Sequence, residues 1–210
     1  MLRTTIRLAC ASLLAVAACS DASSPEGTSR VTLLLTDAPG DLLEAVVTID
    51  EIYLQGGEGE GEEAEGAGRV VLLSEPVTVD LLTLADEWMT LVEGAEIPEA
   101  QYGQLRFVIS GGYVKVEQED GDKIFASSAD YAELPEGAEV TGELQMPSFS
   151  SSGLKVSFTG GLAIDDETIL LIDFDVAESF GQETGSGKWV LHPVLTGSVL
   201  DDNAAPAKGR

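Results

Sequence analysis

Two carboxylates spaced at i and i+2, Asp173 and Asp175 around Phe174, form the sharpest chemical constellation in this 210-residue chain. They follow the apolar run 169–172, so a strand there would project both acids from one face. Like charges that close ask for a compensating cation. Calcium takes carboxylate and carbonyl oxygens and is the metal those ligands suit. Arg106 and Lys155, both inside strand-like patterns, are the alternative partners. Other acidic groups (Asp37 with Asp41, Asp165 with Asp166 and Glu167, Asp201 with Asp202) lack the ligand spacing of an EF-hand. Asp37 precedes Ala-Pro-Gly, where an aspartate commonly closes a turn through its own side chain.

Catalytic machinery is not legible. The single histidine, His192, stands beside Pro193 late in the chain, and no Gly-x-Ser-x-Gly turn is present to expose a serine. With 37 acidic residues some pair falls at glycosidase spacing by chance, so spacing alone carries no signal. No phosphate-binding glycine fingerprint occurs. The prediction is a binding protein rather than an enzyme. Aromatics make up 6% of the chain, so the core claims most of Trp88, Tyr102, Tyr113, Tyr131 and Trp189, which are otherwise the residues suited to stacking on a sugar or anchoring a partner.

The other reactive residue is Cys19. Arg3 and Arg7 precede an uncharged apolar run, 8–18, too short to span a bilayer, and Val16-Ala17-Ala18 places small residues directly before the cysteine. This predicts a lipoprotein signal peptide over 1–18, with Cys19 acylated so that several chains hold the protein on the bilayer. Ser20 follows the cysteine, which favours an outer-membrane address facing the periplasm or the cell surface. Cys10 leaves with the signal, so no disulfide, thiolate nucleophile or cysteine metal site is expected in the mature chain. Loss of Arg3 and Arg7 takes Lys plus Arg from 11 to 9 against 37 acids, and the formal charge from -26 to -28. Nucleic acid and anionic lipid surfaces are poor partners for that field.

The elements that must position these residues read as strands. A Ser-, Ala- and Asp-rich tether is expected over 19–29 and a folded domain over 30–200, interrupted by a disordered Gly/Glu loop at 56–67, with a frayed tail at 201–210. Strand composition marks 31–36, 45–54, 69–73, 77–81, 104–110, 113–117, 123–126, 154–158, 168–176 and 189–199. Asp120-Gly121 supplies a tight hairpin between two of them. The segment 81–92 reads as a short connecting helix, capped by Asp80 and ended by Gly94. The fold expected is all-β: a single antiparallel β-sandwich, immunoglobulin-like or transthyretin-like, with at most one short helix.

Leu35-Thr36-Asp37-Ala38-Pro39-Gly40, Asp80-Leu81-Leu82, Ile97-Pro98-Glu99-Ala100-Gln101-Tyr102 before Leu105-Arg106, Leu171-Ile172-Asp173-Phe174-Asp175, and Trp189-Val190-Leu191-His192-Pro193 together resemble the bacterial lipoprotein family called domain of unknown function 4382. The resemblance spans about 30–200 and implies no established activity. The Pro-x-x-x-Tyr step is also similar to transthyretin-like accessory domains, with Ala100 where their glycine stands. The function expected is a membrane-anchored ligand-binding or adhesion module for a polysaccharide or protein, with calcium support; the alternative is a structural or assembly component of the envelope.

Overall fold

The computed structural model describes residues 27–38, 42–56, 68–85, 87–146, 153–158, 161–164, 167–182 and 187–200. Cys19, the loop at 57–67, Asp41, Asp165, Asp166, Asp201, Asp202 and the tail at 201–210 therefore lie outside the described residues.

The fold is an all-β sandwich. One layer orders β14 (Leu195–Leu200), β11 (Glu167–Asp175), β1 (Thr28–Ala38) and β5 (Met89–Pro98). The second is built on β2 (Glu44–Gly56) and β6 (Ala100–Val116). There β3 (Arg69–Leu73) and β4 (Val77–Asp80) flank β2, and β7 (Lys123–Ala126), β9 (Leu154–Phe158) and β10 (Leu162–Ile164) flank β6. Strand β8 (Val140–Gln145) extends it from β7 to β13 (Trp189–Leu191) and β12 (Phe180–Gln182). β9 pairs with both β6 and β14 and so joins the layers. Most pairings are antiparallel, but β1 with β11, β7 with β8, β8 with β13 and β9 with β14 run parallel.

Alternation builds the core. On β11 Leu170, Ile172 and Phe174 point inward while Leu171, Asp173 and Asp175 stay partly exposed, so the inner face meets Leu33 and Leu35 of β1 in one apolar cluster. β2 and β6 cross that core with a change of phase. Ala45, Val47 and Ile49 face inward, and so do Ile52 and Leu54, because Asp50 is an extra residue in the ladder. Opposite it Ser110 is extra on β6 and switches the inward set from Leu105, Phe107 and Ile109 to Val114 and Val116. Each bulge absorbs one extra residue, so the alternation resumes with the apolar set still on the core side. Ser110 Oγ donates to Asp50 Oδ1 at 2.7 Å, closing the two extra residues on each other. Gly112 sits beside this irregularity, where a Cβ would lie 2.5 Å from the Val46 carbonyl oxygen.

Three expectations change. The connecting helix over 81–92 reduces to one 3-10 turn, Leu81–Leu84, capped by Asp80 Oδ1 accepting from Leu82 N at 3.3 Å. From Met89 onward the chain is β5, because the backbone of β1 offers it a ladder; tertiary pairing outweighs local helix propensity. Gly94 (φ +59°) ends no helix and instead sits where the β1–β5 register slips, its N–H donating to Thr32 Oγ1 at 3.2 Å. The strand over 189–199 is two, β13 and β14, broken at His192-Pro193-Val194, since proline has no N–H for a ladder. Thr28 and Ser29, assigned to the tether, already pair with Pro98 and Ile97. A second four-residue helical segment, α1 (Val176–Ser179), follows β11. The Asp120-Gly121 hairpin is as expected, with Gly121 at φ +113° and its N–H bonded to Gln118 O at 3.0 Å.

Candidate functional site

Parallel pairing of β1 with β11 carries Asp37, Asp173 and Asp175 to one end of the sandwich. In register, Thr36 lies beside Asp173, Asp37 beside Phe174 and Ala38 beside Asp175, with Thr196 of β14 on the other side of Asp173. The three acids have different work. Asp175 caps α1, its Oδ1 accepting from Glu178 N at 2.9 Å, and its own N–H reaches Val194 O at 3.0 Å. Asp37 is buried, 5% exposed, and its Oδ1 accepts from Val176 N at 3.0 Å. This bond ties the end of β1 to the first turn of α1, across 139 residues of sequence; residues 39–41 of the turn expected after Asp37 lie outside the described residues. Two of the N–H groups that a helix start leaves unpaired are thus satisfied by two aspartates from different strands.

Asp173 differs. Its Oδ1 is shut off from water with no hydrogen-bond partner. Burial first, and then the Asp175 charge, push its carboxyl above the ordinary aspartate range. Neither basic residue proposed as a partner is seen to pair with it. Arg106 gives Nε and Nη2 to Gln104 Oε1 at 2.8 and 2.6 Å, and Lys155 stands opposite Arg106 in the β6–β9 ladder. Among the described residues the ion pairs lie elsewhere, as in Arg69–Glu51 and Lys188–Glu143.

A carboxyl with a raised pKa holds its proton more tightly folded than unfolded. Asp173 therefore favours the fold most below the unfolded aspartate pKa, and that contribution is lost as pH rises through its folded value. Asp173→Asn removes this titration. Thermal melts should show the variant gaining on wild type as pH rises from below the ordinary aspartate pKa of about 3.9 through the raised folded value; a gap that does not change with pH would mean the carboxyl is not destabilised there.

The remaining candidates are distributed. His192 is exposed, and its backbone N–H donates to Ser179 O at 2.7 Å. The Ser179 side chain is fully buried and its Oγ accepts from Val194 N at 2.8 Å. Tyr102 and Tyr113 are core residues, while Trp88, Tyr131 and Trp189 are half-buried. Tyr131 lies over Gly111, edge-on to Tyr113, with its hydroxyl 2.5 Å from Thr48 Oγ1. A groove of about 520 Å³ opens where β7 stops and β6 and β8 continue, lined by Ile109, Ser110, Ser127, Glu143, Leu144 and Met146 among others. Three of its polar groups are already engaged: Ser110 with Asp50, Ser127 with Gly112 N, Glu143 with Lys188; Gln145 also lines it.

One network escaped the sequence reading. Tyr113 donates to Glu44 Oε2 at 2.6 Å, and Lys115 bridges Glu44 and Asp122 at 3.3 and 3.4 Å. Burial and then the Glu44 carboxylate push the Tyr113 phenol up, so it stays a donor. The spacing of Tyr113 and Lys115, one strand face, was the available signal; Glu44 enters only through the β2–β6 register. Among the described residues no group of three or more His, Cys, Asp or Glu side chains converges on a point that could hold a metal ion. Nor is any helix among them long and apolar enough to cross a membrane, which says nothing of strands.

These features define an all-β sandwich domain whose most distinctive acids sit at one end of a parallel strand pair. The chain belongs to the family described as Domain of unknown function (DUF4382), whose family model matches residues 28–193. The match begins on the first residue of β1 and ends at Pro193, between β13 and β14. No curated protein and no solved structure matches the chain significantly.

Proposed function

We propose that this protein is a bacterial lipoprotein, anchored through acylated Cys19, whose sandwich domain binds a polysaccharide or protein outside the cytoplasm with calcium support at Asp173 and Asp175. The observation that carries the reading is Val16-Ala17-Ala18-Cys19 standing nine residues ahead of Thr28, where β1 begins. Cleavage before Cys19 leaves the described fold whole. The calcium component is supported by the unpartnered Asp173 Oδ1 beside a second carboxylate, with Thr36 and Thr196 flanking in register. Those groups supply fewer than the six to eight oxygens calcium takes, so water or a ligand hydroxyl completes the shell.

The test is the thermal midpoint of the chain from Ser20 onward, titrated with calcium and then with EDTA, with magnesium as control. A ligand that binds only the folded state stabilises it by mass action, by about 2.7 kcal/mol at 100 times its dissociation constant, and so raises the midpoint. The expected result is a saturable calcium shift, absent with magnesium and absent in Asp173→Asn. Equal shifts with both ions, or none, would remove calcium from the reading and direct the search to protein partners through crosslinking in cells.

A further inference from the structure

We infer that the anchored protein stands with the Thr28 end of β1 toward the bilayer and presents the Asp173–Asp175 end outward. This rests on the lipidation reading above and otherwise on strand register. At the Thr28 end, Thr28 pairs with Pro98, Arg30 with Glu167, and Ile169 with Leu200. The start of the described chain, the β5–β6 turn, the start of β11 and the end of β14 therefore share one end of the sandwich. Glu99 N donates to Gly27 O at 2.8 Å and holds the incoming chain against that turn. At the opposite end lie Ala38 beside Asp175, α1, the 3-10 turn after β4, and the acidic hairpin that follows Val116.

Two lengths decide between the orientations. β1 runs eleven residues, about 33 Å at roughly 3.3 Å per step. From Cys19 to Gly27 there are eight peptide steps, which reach at most about 29 Å at roughly 3.6 Å each. An inverted domain would need its Gly27 end held at least the length of β1 above the headgroups, further than the connection reaches even when fully extended. Upright, the same connection suffices with slack. The end facing the bilayer carries Glu96, Glu99 and Glu167, all exposed, so it approaches zwitterionic headgroups more closely than anionic ones. Gly27 and Leu200, the first and last described residues, both lie on this side.

The experiment uses the full acylated protein in phosphatidylcholine vesicles. Acylation blocks the Cys19 thiol, so a cysteine introduced by Glu99→Cys or by Glu119→Cys, both at exposed positions, takes a single donor dye. Energy transfer to an acceptor on the lipid headgroups is then measured for each. Transfer should be several-fold stronger from position 99 than from position 119. Equal or reversed transfer from protein that floats with the vesicles would overturn the orientation while leaving the anchor intact. Protein that does not float would overturn the anchor, and the orientation with it.

Discussion

Replacing Cys19 with serine is expected to abolish incorporation of a labelled fatty acid and to remove the mature, acylated form of the protein. On the proposed lipoprotein reading the Cys19 thiol accepts the diacylglycerol, and serine cannot form the thioether. A single acyl chain gives a membrane association constant of only about 10⁴ M⁻¹, so stable attachment needs two or three chains. All of them depend on this one residue, so the serine variant should no longer float with membranes. Cys10→Ser, inside the segment that is removed, should leave labelling unchanged. Mass spectrometry of the wild-type mature chain supplies the decisive readout: an N-terminus anywhere other than Cys19 would end the lipoprotein reading.

The second large effect is expected at Tyr102. Its ring is 1% exposed, and its hydroxyl donates to Pro98 O at 2.8 Å across the turn that carries the chain from β5 in one layer to β6 in the other. Tyr102→Ala deletes a buried aromatic and should cost about 3–5 kcal/mol, the range for large aromatic truncations. At roughly 2–4 °C per kcal/mol for a domain of this size, the midpoint falls by roughly 6–20 °C. Tyr102→Phe keeps the ring and removes one hydrogen bond, so about 0.5–1.5 kcal/mol is expected. If the two variants melt alike, the hydrogen bond rather than the packing fixes this turn, and the layers are pinned by polar geometry.

Those two residues mark the extremes of what could be read from the chain. Cys19 is a local signal, complete in its neighbours. Tyr102 was visible as a Pro-x-x-x-Tyr step, but its bond to Pro98 needed the turn. Short strands were legible to the residue from their β-branched, leucine and aromatic content, as in Arg69–Leu73, Lys123–Ala126 and Leu154–Phe158. β6 read as two strands because its inward phase changes at Ser110, which only the facing bulge at Asp50 explains. β5 read as a helix because Leu84, Trp88 and Leu91 share a helical face, and nothing local reveals that β1 lacks a partner on that side. β8, with Gly142 and two glutamine-family polar residues among its six, carries no strand signature at all. The pairing of Asp173 and Asp175 on one strand face was legible. That Asp37 joins them follows from a parallel ladder between the two ends of the sequence, and that Asp175 caps α1 through Oδ1 shows only once that helical turn is formed.

The same ladder sets a condition on how the protein is made. β1 is the first described strand to be synthesised and its partner β11 comes late, with Arg30 waiting for Glu167. Long-range parallel pairing is slow to form, because loop closure must precede any gain from contact. Until then Val31-Thr32-Leu33-Leu34-Leu35 is an apolar segment with an open edge, the kind of window that seeds aggregation. On the lipoprotein reading proposed above, a chain that stays unfolded until its end has emerged is well matched to threading through a translocon. There early collapse would jam it, and delayed collapse would leave it dependent on an escort in transit.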